Sequence, residues 1–230
     1  MMQPSPATIQ ADFDRIALLS ESHGWNHNEH YHPFLFKHVP RTCRDALEIG
    51  CGTGEFSHYL ARCSDHVTAL DLSPQMIRIA RERAPQYPNI DFQVADALQW
   101  QYPTNQYDCI VSIATLHHLP LRVMLEKMRA ALKPGGTIII LDLRRSAGLA
   151  DRLLDVAAFL TSFAFRLINR RLLTPPAVRA AWDAHGKTDT YLNVLEVKQI
   201  SSSLLPGAKV TKHLLWRYSI IYRKSKINKP

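Results

Sequence analysis

The stretch ALEIGCGTG, at positions 46–54, joins a short apolar run to a glycine-rich turn. The apolar run at 46–50 predicts a buried strand. Glycines at 50, 52 and 54 allow a tight turn and let a ligand approach the backbone without a Cβ in the way. Such a loop occurs in several nucleotide-binding folds, and Glu55 stands where the dinucleotide fingerprint has its third glycine. The stretch therefore predicts a strand, a ligand-binding loop and a helix, and leaves the ligand open.

On either side of this loop, short apolar or β-branched runs alternate with helical stretches from Asp45 to Leu143. Ser73 followed by Pro74 is typical of a helix start, because serine caps the first turn and proline suits its first position. Strands are predicted at 46–50, 66–72, 89–96, 107–114 and 136–143, and helices at 55–63, 74–84 and 121–132. This alternation predicts an α/β protein with a parallel sheet flanked by helices.

The pattern changes after Leu143. A helix with a wide apolar face is predicted at 149–173, and the prolines at 175 and 176 end it. Helices at 178–184 and 193–205 follow, and 209–225 contains two strand-like segments. We expect one domain over 1–230. Its parts are an N-terminal helical cap at 1–40, a ligand-binding core at 41–145, a helical lid or insertion at 146–190, and a closing helix with strands at 191–230.

The 230 residues carry a formal net charge of +8, which is unevenly distributed. Positions 1–115 hold 8 basic and 13 acidic residues, whereas 116–230 hold 20 and 7. A basic half attracts an anionic substrate, a membrane surface or RNA, and a solvated basic face without a partner is the alternative.

A membrane-spanning run and a secretory signal are both missing from the pattern, so we expect a cytoplasmic protein. Four cysteines and eleven histidines show neither CxxC nor HEXXH spacing, so no metal site is predicted.

Two carboxylates follow predicted strands at the edge where the glycine loop lies. Asp71 ends the second strand, 21 residues after Gly50, where it can accept both ribose hydroxyls of an adenosine. Asp96 ends the third strand, within reach of an adenine amino group. The loop has no lysine or arginine for a polyphosphate. A cationic adenosine ligand fits this pattern better than a nucleotide.

Five motifs in order and register carry a family resemblance: LEIGCGTGEFS, VTALDLSPQMIRIAR, VADALQW, YDCIVSIATLHHL and LKPGGTIIILDL. They resemble the class I S-adenosylmethionine-dependent methyltransferases, in particular the small-molecule group that includes ubiquinone and menaquinone methyltransferases. The resemblance implies a Rossmann-like, doubly wound sheet of seven strands, the last one antiparallel and formed here near 213–224. It also implies S-adenosyl-L-methionine as the cofactor.

The resemblance assigns cofactor contacts residue by residue. Gly50, Gly52 and Gly54 would surround the methionine part, and Cys51 would present its backbone there. Asp71 would bind the ribose. Leu72 would pack on the adenine, and Asp96 and Ala97 would hold the adenine edge. The carbonyls of Ile113 and Ala114 would face the methionine amino group. Glu48 would support the loop from beneath.

Methyl transfer from a sulfonium is an in-line displacement that depends on orientation and, for a hydroxyl or thiol acceptor, on proton removal. His117 follows the fourth strand and matches a substrate-facing histidine in some related methyltransferases, so it is the catalytic candidate. A turn with satisfied imidazoles is the alternative. Tyr31 belongs to the aromatic segment 25–33, which in many relatives lies over the cofactor, so its hydroxyl is a candidate contact of the cofactor carboxylate. A surface helix is the alternative.

The leading hypothesis is an enzyme that methylates a small, apolar or amphipathic acceptor. An RNA methyltransferase is the alternative, but an NPPY-type tetrad after the fourth strand is missing, so nucleic acid is not expected. A non-catalytic scaffold is a third class. The helix at 149–173 has three interpretations: a buried lid, a peripheral membrane contact, or a homodimer interface. Seven arginines within 144–179, beside Phe159, Phe163 and Phe165, suggest that this region forms the acceptor site.

Overall fold

The computed structural model describes residues 5–19, 27–168, 175–187 and 189–226. Its centre is one seven-stranded sheet with the order β3-β2-β1-β4-β5-β7-β6. The strands are β1 Cys43–Ile49, β2 Ser64–Asp71, β3 Ile90–Val94, β4 Tyr107–Ile113, β5 Leu132–Leu143, β6 Lys209–Lys212 and β7 Arg217–Arg223. Strands β1 to β5 pair in parallel, and β7 runs antiparallel to β5 and β6. The predicted Rossmann-like fold with an antiparallel last strand is confirmed.

The helices follow the predicted order. They are α1 Pro6–Leu19, α2 His32–Phe36, α3 Glu55–Ala61, α4 Pro74–Arg83, α5 Leu121–Ala131, α6 Leu149–Ile168, α7 Pro176–Gly186 and α8 Val194–Leu204. The inserted helices α6 and α7 follow β5, as expected, and the predicted end of the first of them, 169–173, lies outside the described residues. Within the described ranges, no helix combines the length and apolarity needed to cross a bilayer.

Helix starts follow from local chemistry. The Ser73 hydroxyl accepts the backbone N–H of Met76 and caps α4, with Pro74 at the first position. Asn193 accepts the N–H groups of Leu195 and Glu196 at the start of α8, and the Glu196 carboxylate reaches back to the Asn193 N–H. This reciprocal capping satisfies donors that a helix start otherwise leaves without partners.

Most strand bounds differ from the prediction by one to four residues, and the differences at the start of β5 and the end of β3 have a local cause. β5 begins at Leu132 instead of 136, because the Gly135 N–H donates to the Lys224 carbonyl and the Lys224 N–H donates to the Gly136 carbonyl. These bonds continue the antiparallel pairing through the Pro-Gly-Gly segment. β3 ends at Val94 instead of 96, because the Asp96 carbonyl already accepts N–H groups of the turn that follows.

The core lies on both faces of the interior strand β5, whose residues 138–141 are fully buried. Ile138 and Ile140 pack with α5 and α8, whereas Ile139 and Leu141 pack with α2 and α3. Alternate side chains of a strand point to opposite faces, so a continuous apolar run is what a strand covered on both sides requires.

Glu48 is a buried carboxyl group within β1, with 2% of its surface exposed. The Ser57 hydroxyl of α3 donates to its Oε2 at 2.5 Å. Burial raises the pKa of Glu48 from 4.5 to about 8, against the opposing effect of that hydrogen bond. Glu48 therefore links the loop strand to α3 from beneath the glycine loop, as expected.

Replacement of Glu48 by glutamine is expected to change how stability depends on pH. The unfolded chain loses the Glu48 proton near pH 4.5 and the folded chain only near pH 8, so between these values the wild type loses stability as pH rises. Relative to the Glu48→Gln variant, the wild type loses at most about 1.4 kcal/mol of unfolding free energy per pH unit. Urea unfolding at pH 5, 6.5 and 8 measures this difference. Glu126→Gln, at an exposed position on α5, is the control, and a Glu48→Gln difference that is independent of pH would contradict the expectation.

Candidate active site

The glycine loop is anchored by its first two residues. The N–H groups of Gly50 and Cys51 both donate to the Leu70 carbonyl, at 2.8 and 2.9 Å. Gly50 has φ +73°, and a Cβ there would lie 2.0 Å from Thr115 Oγ1, so no other residue fits. Cys51 is buried, and burial raises the pKa of its thiol. The cysteine side chain is therefore inert packing, and only its backbone is suited to a ligand.

Asp71 faces this loop from the end of β2. Its Oδ2 accepts the Gly52 N–H at 2.8 Å, and its Oδ1 accepts the Ser73 N–H at 2.9 Å. Burial raises the pKa of Asp71, although both hydrogen bonds favour the carboxylate. Each carboxylate oxygen keeps a lone pair for a further donor. Asp71 thus orders the loop and can still accept ribose hydroxyls.

Gly52 and Gly54 differ in what lies beside them. Gly52 has φ +53°, and a Cβ there would meet nothing within 4 Å, so this side of the loop is open. A Cβ at Gly54, the N-cap of α3, would lie 3.1 Å from Phe92. The open side at Gly52, next to a partly exposed carboxylate and without a nearby loop lysine or arginine, fits a ribose and a cationic methionine group.

The predicted adenine contacts also lie at this edge. Leu72, Asp96 and Ala97 are all half-buried and follow β2 and β3. Asp96 Oδ1 accepts the Leu98 N–H at 2.8 Å, and the Ala97 carbonyl accepts the Tyr102 hydroxyl at 3.0 Å. These internal bonds leave the second Asp96 oxygen for an adenine amino group, and the contact stays a prediction.

Ile113 and Ala114 leave β4 in a strained conformation. Ala114 has φ +51°, in the left-handed region that disfavours a residue with a Cβ. Its N–H donates to the Leu141 carbonyl at 2.8 Å, while the Ile113 carbonyl accepts the Thr115 hydroxyl at 3.0 Å. Backbone strain of this kind concentrates at functional sites. The predicted contact with the methionine amino group stays a prediction.

Tyr31 already has a partner within the protein. Its ring is buried, and its hydroxyl donates to the Leu214 carbonyl at 2.7 Å. Burial raises the pKa of Tyr31 to about 12. The hydroxyl would have to give up its hydrogen bond to the Leu214 carbonyl in order to donate to a cofactor carboxylate. The predicted contact therefore requires a change of hydrogen-bond acceptor.

His117 is held by a carboxylate that the sequence analysis missed. His117 Nδ1 lies 2.6 Å from Asp142 Oδ1, and the two side chains are only 7% and 1% exposed. Asp142 is the penultimate residue of β5 and accepts the Leu143 N–H with the same oxygen. Because a carboxylate accepts, Nδ1 carries the proton in the neutral ring and Nε2 keeps its lone pair. The signal that could have identified Asp142 is an aspartate near the end of a predicted strand, as in LDL at 141–143.

The arginine-rich region at 144–179 is not a uniform basic surface. The Arg144 guanidinium is fully buried and lies 3.1 Å from Asp155 Oδ1 and 3.8 Å from Asp151 Oδ2. It therefore ties β5 to α6. Phe159 is 66% exposed, and the side chains of Phe163 and Phe165 lie outside the described part of α6. The acceptor role of this region stays a prediction.

Comparison with known proteins agrees with this geometry. A family model described as a methyltransferase domain matches residues 46–136. An uncharacterized methyltransferase of Mycobacterium tuberculosis is 30% identical over 203 residues, which are 86% of this chain and 96% of that protein. This chain belongs to the class I S-adenosylmethionine-dependent methyltransferases.

Two further similarities extend the comparison. The ubiquinone biosynthesis O-methyltransferase of Xylella fastidiosa is 30% identical to this methyltransferase over 162 residues, 66% of the chain and 64% of that protein. The N-methyltransferase NodS from Bradyrhizobium japonicum, in complex with S-adenosyl-L-homocysteine, shares the fold with a TM-score of 0.62. It is 18% identical, and the alignment covers 94% of this chain and 97% of NodS. The cofactor of this methyltransferase is S-adenosylmethionine.

Removal of the Asp71 carboxylate is expected to weaken cofactor binding. Asp71→Ala loses the ribose acceptor and the bond that holds Gly52, so affinity for S-adenosylmethionine should fall by about 2–3 kcal/mol, or about 30- to 150-fold. Asp71→Asn, which keeps one acceptor oxygen, should lose less. Calorimetry measures both. Asp65→Ala, at the exposed start of β2, is the control, and wild-type affinity in Asp71→Ala would contradict the ribose assignment.

Proposed function

We propose that this methyltransferase transfers the cofactor methyl group to a small, apolar or amphipathic acceptor whose nucleophile is deprotonated by His117. The observation that carries the proposal is the buried pair of His117, which follows β4, and Asp142, which lies next to the last residue of β5. Both strands end at the edge that also holds the glycine loop and Asp71. A fixed base at this edge suits an acceptor with a dissociable proton.

S-adenosylmethionine, when bound, supplies an electrophilic methyl group on a sulfonium. The residues of the chain have the tasks of binding, orienting and deprotonating. Gly50, Gly52 and Gly54, with Cys51, would hold the methionine part by backbone contacts, and Asp71 would hold the ribose. Ile113 and Ala114 would face the amino group, and Leu72, Asp96 and Ala97 would enclose the adenine.

His117 would act through Nε2. Asp142 holds Nδ1–H at 2.6 Å, so the ring orientation is set, and the lone pair of Nε2 is available for the acceptor proton. When Nε2 takes that proton, the imidazolium is stabilised by the adjacent carboxylate. Asp142 is a positioning residue in this mechanism, because it acts through His117.

Several features of the acceptor side remain proposals. We place the reaction in the cytoplasm and expect a small molecule as acceptor, without nucleic acid. Helix α6 buries Ala158 and exposes Val156, Phe159 and Leu160. The inward face of α6 suits a lid. Its exposed apolar face suits a peripheral membrane contact or a homodimer interface.

Release of S-adenosylhomocysteine is the readout that tests the acceptor class. We expect turnover with at least one compound in a panel of small phenols, thiols, amines and carboxylic acids, and none with total RNA. Small-acceptor turnover should persist at moderate salt, whereas RNA binding weakens steeply there. Turnover that requires RNA and fades between low and moderate salt would contradict the proposal.

Variants of the pair test the base. His117→Ala should lower kcat by about 10²- to 10⁴-fold, the usual contribution of a general base, with unchanged cofactor affinity. Asp142→Asn should lower kcat less, because it leaves the ring in place with a weaker partner. His66→Ala, at an exposed position of β2, is the control. Equal kcat in His117→Ala and wild type would contradict the base assignment.

A further inference from the structure

A second cluster lies against the outer side of the His117 ring. His117 and His118 come from the short turn Leu116–His118 after β4, and Asp189 comes from the connection between α7 and α8. One potential ligand atom from each residue lies within 4.8 Å of the other two. The three side chains are 7%, 6% and 4% exposed. We call these three residues the Asp189 cluster.

The spacing in the Asp189 cluster is wider than that of hydrogen bonds. His118 Nδ1 lies 3.4 Å from Asp189 Oδ1, and His117 Nε2 lies 3.9 Å from Asp189 Oδ2. Asp189 Oδ1 is buried, yet it accepts no hydrogen bond from any residue that the structure describes. Ligand atoms bound at about 2.0–2.1 Å around a tetrahedral metal ion lie about 3.3 Å apart. The distances in the cluster are therefore close to those between the ligands of a metal site. His117 Nε2 would have to move slightly closer to Asp189.

Outer partners hold the His117 ring and the Asp189 carboxylate as they do in metal sites. His117 Nδ1 is bonded to Asp142 at 2.6 Å, which leaves Nε2 toward Asp189. The Tyr191 hydroxyl donates to Asp189 Oδ2 at 2.6 Å and orients that carboxylate. Metal-ligating histidines typically donate their other N–H to a carboxylate, and ligating carboxylates are themselves hydrogen-bonded.

The charge around the cluster favours a cation. Asp142 and Asp189 are buried carboxylates, and the half-buried Asp12 lies 3.3 Å from His185 Nδ1, whose Nε2 is 3.7 Å from Asp189 Oδ1. Imidazoles that coordinate a metal are neutral, so they do not compensate these charges. A divalent ion would compensate two of them.

We propose that His117 Nε2, His118 Nδ1 and Asp189 bind a divalent transition-metal ion of the Zn²⁺ class. Two imidazoles and one carboxylate are ligands that zinc accepts, with a fourth position left to solvent or a further residue. The metal would occupy the lone pair that the proposed mechanism assigns to the base, so its binding switches off methyl transfer. Only this last consequence rests on the proposed function.

Zinc binding by the full-length protein tests the site without any acceptor. Competition with a chromophoric chelator should show one equivalent of Zn²⁺ per chain. Asp189→Asn and His118→Ala should each weaken binding at least tenfold, while His66→Ala, at an exposed position, should match wild type. Unchanged affinity for S-adenosylhomocysteine in each variant checks its folding. Absence of saturable zinc binding to the wild type, or equal binding by all variants, would overturn the site.

Activity supplies a second readout. Zn²⁺ should inhibit turnover of the wild type, a chelator should restore it, and Asp189→Asn should resist inhibition. Stoichiometric zinc binding without inhibition would overturn the proposed switch, and with it the assignment of His117 Nε2 as the base, but not the metal site. If no small acceptor is methylated at all, the proposed function fails, but the zinc titration still decides the metal site.

Discussion

The Leu70 carbonyl oxygen accepts hydrogen bonds from the N–H groups of both Gly50 and Cys51, at 2.8 and 2.9 Å. These two bonds fold the chain that leaves β1 onto the end of β2. The turn lies where the strand order changes direction, between β1 and β4, and open α/β sheets bind ligands at such a point. The turn sets the direction of the Gly52 N–H. It therefore also sets the hydrogen bond that this N–H donates to the Asp71 carboxylate. The cofactor side of the site therefore depends on one backbone carbonyl.

The acceptor side depends on how β5 is held. This strand pairs in parallel with β4 as far as Leu141 and antiparallel with β7 as far as Leu143, so both its edges are bonded nearly to its end. Asp142 is consequently a fixed, buried carboxylate, and it sets the orientation of the His117 ring. When the position of a base is fixed before the reaction, no free energy is needed to orient it during the reaction. In the proposed mechanism, β7 thus supports the base although none of its residues takes part in the reaction.

Charged residues of the basic half serve the fold. Arg144 is buried in ion pairs that tie β5 to α6. The Arg217 guanidinium is also buried, donates to Asn28 Oδ1 at 2.9 Å and to the Leu215 carbonyl at 3.0 Å, and has its pKa lowered by burial. The excess of positive charge in the second half is therefore partly internal structure, and carboxylates surround the site beside His117. Net charge describes solubility and long-range attraction, and the local site is decided by which groups are buried together.

The sequence by itself determined the order of strands and helices, the glycine loop and the position of Asp71. These features follow from local rules: hydrophobic periodicity, capping residues such as Ser73, and the positive φ that glycine permits. Only the tertiary structure decided which groups surround His117. Asp142 follows it by 25 residues and Asp189 lies in the connection after the inserted helices, so no spacing rule connects them. Tyr31 shows the same limit, because its hydroxyl bonds to Leu214, 183 residues away. Such contacts arise where strand ends and insertions meet at one edge of the sheet, and that meeting depends on the packing of the whole chain.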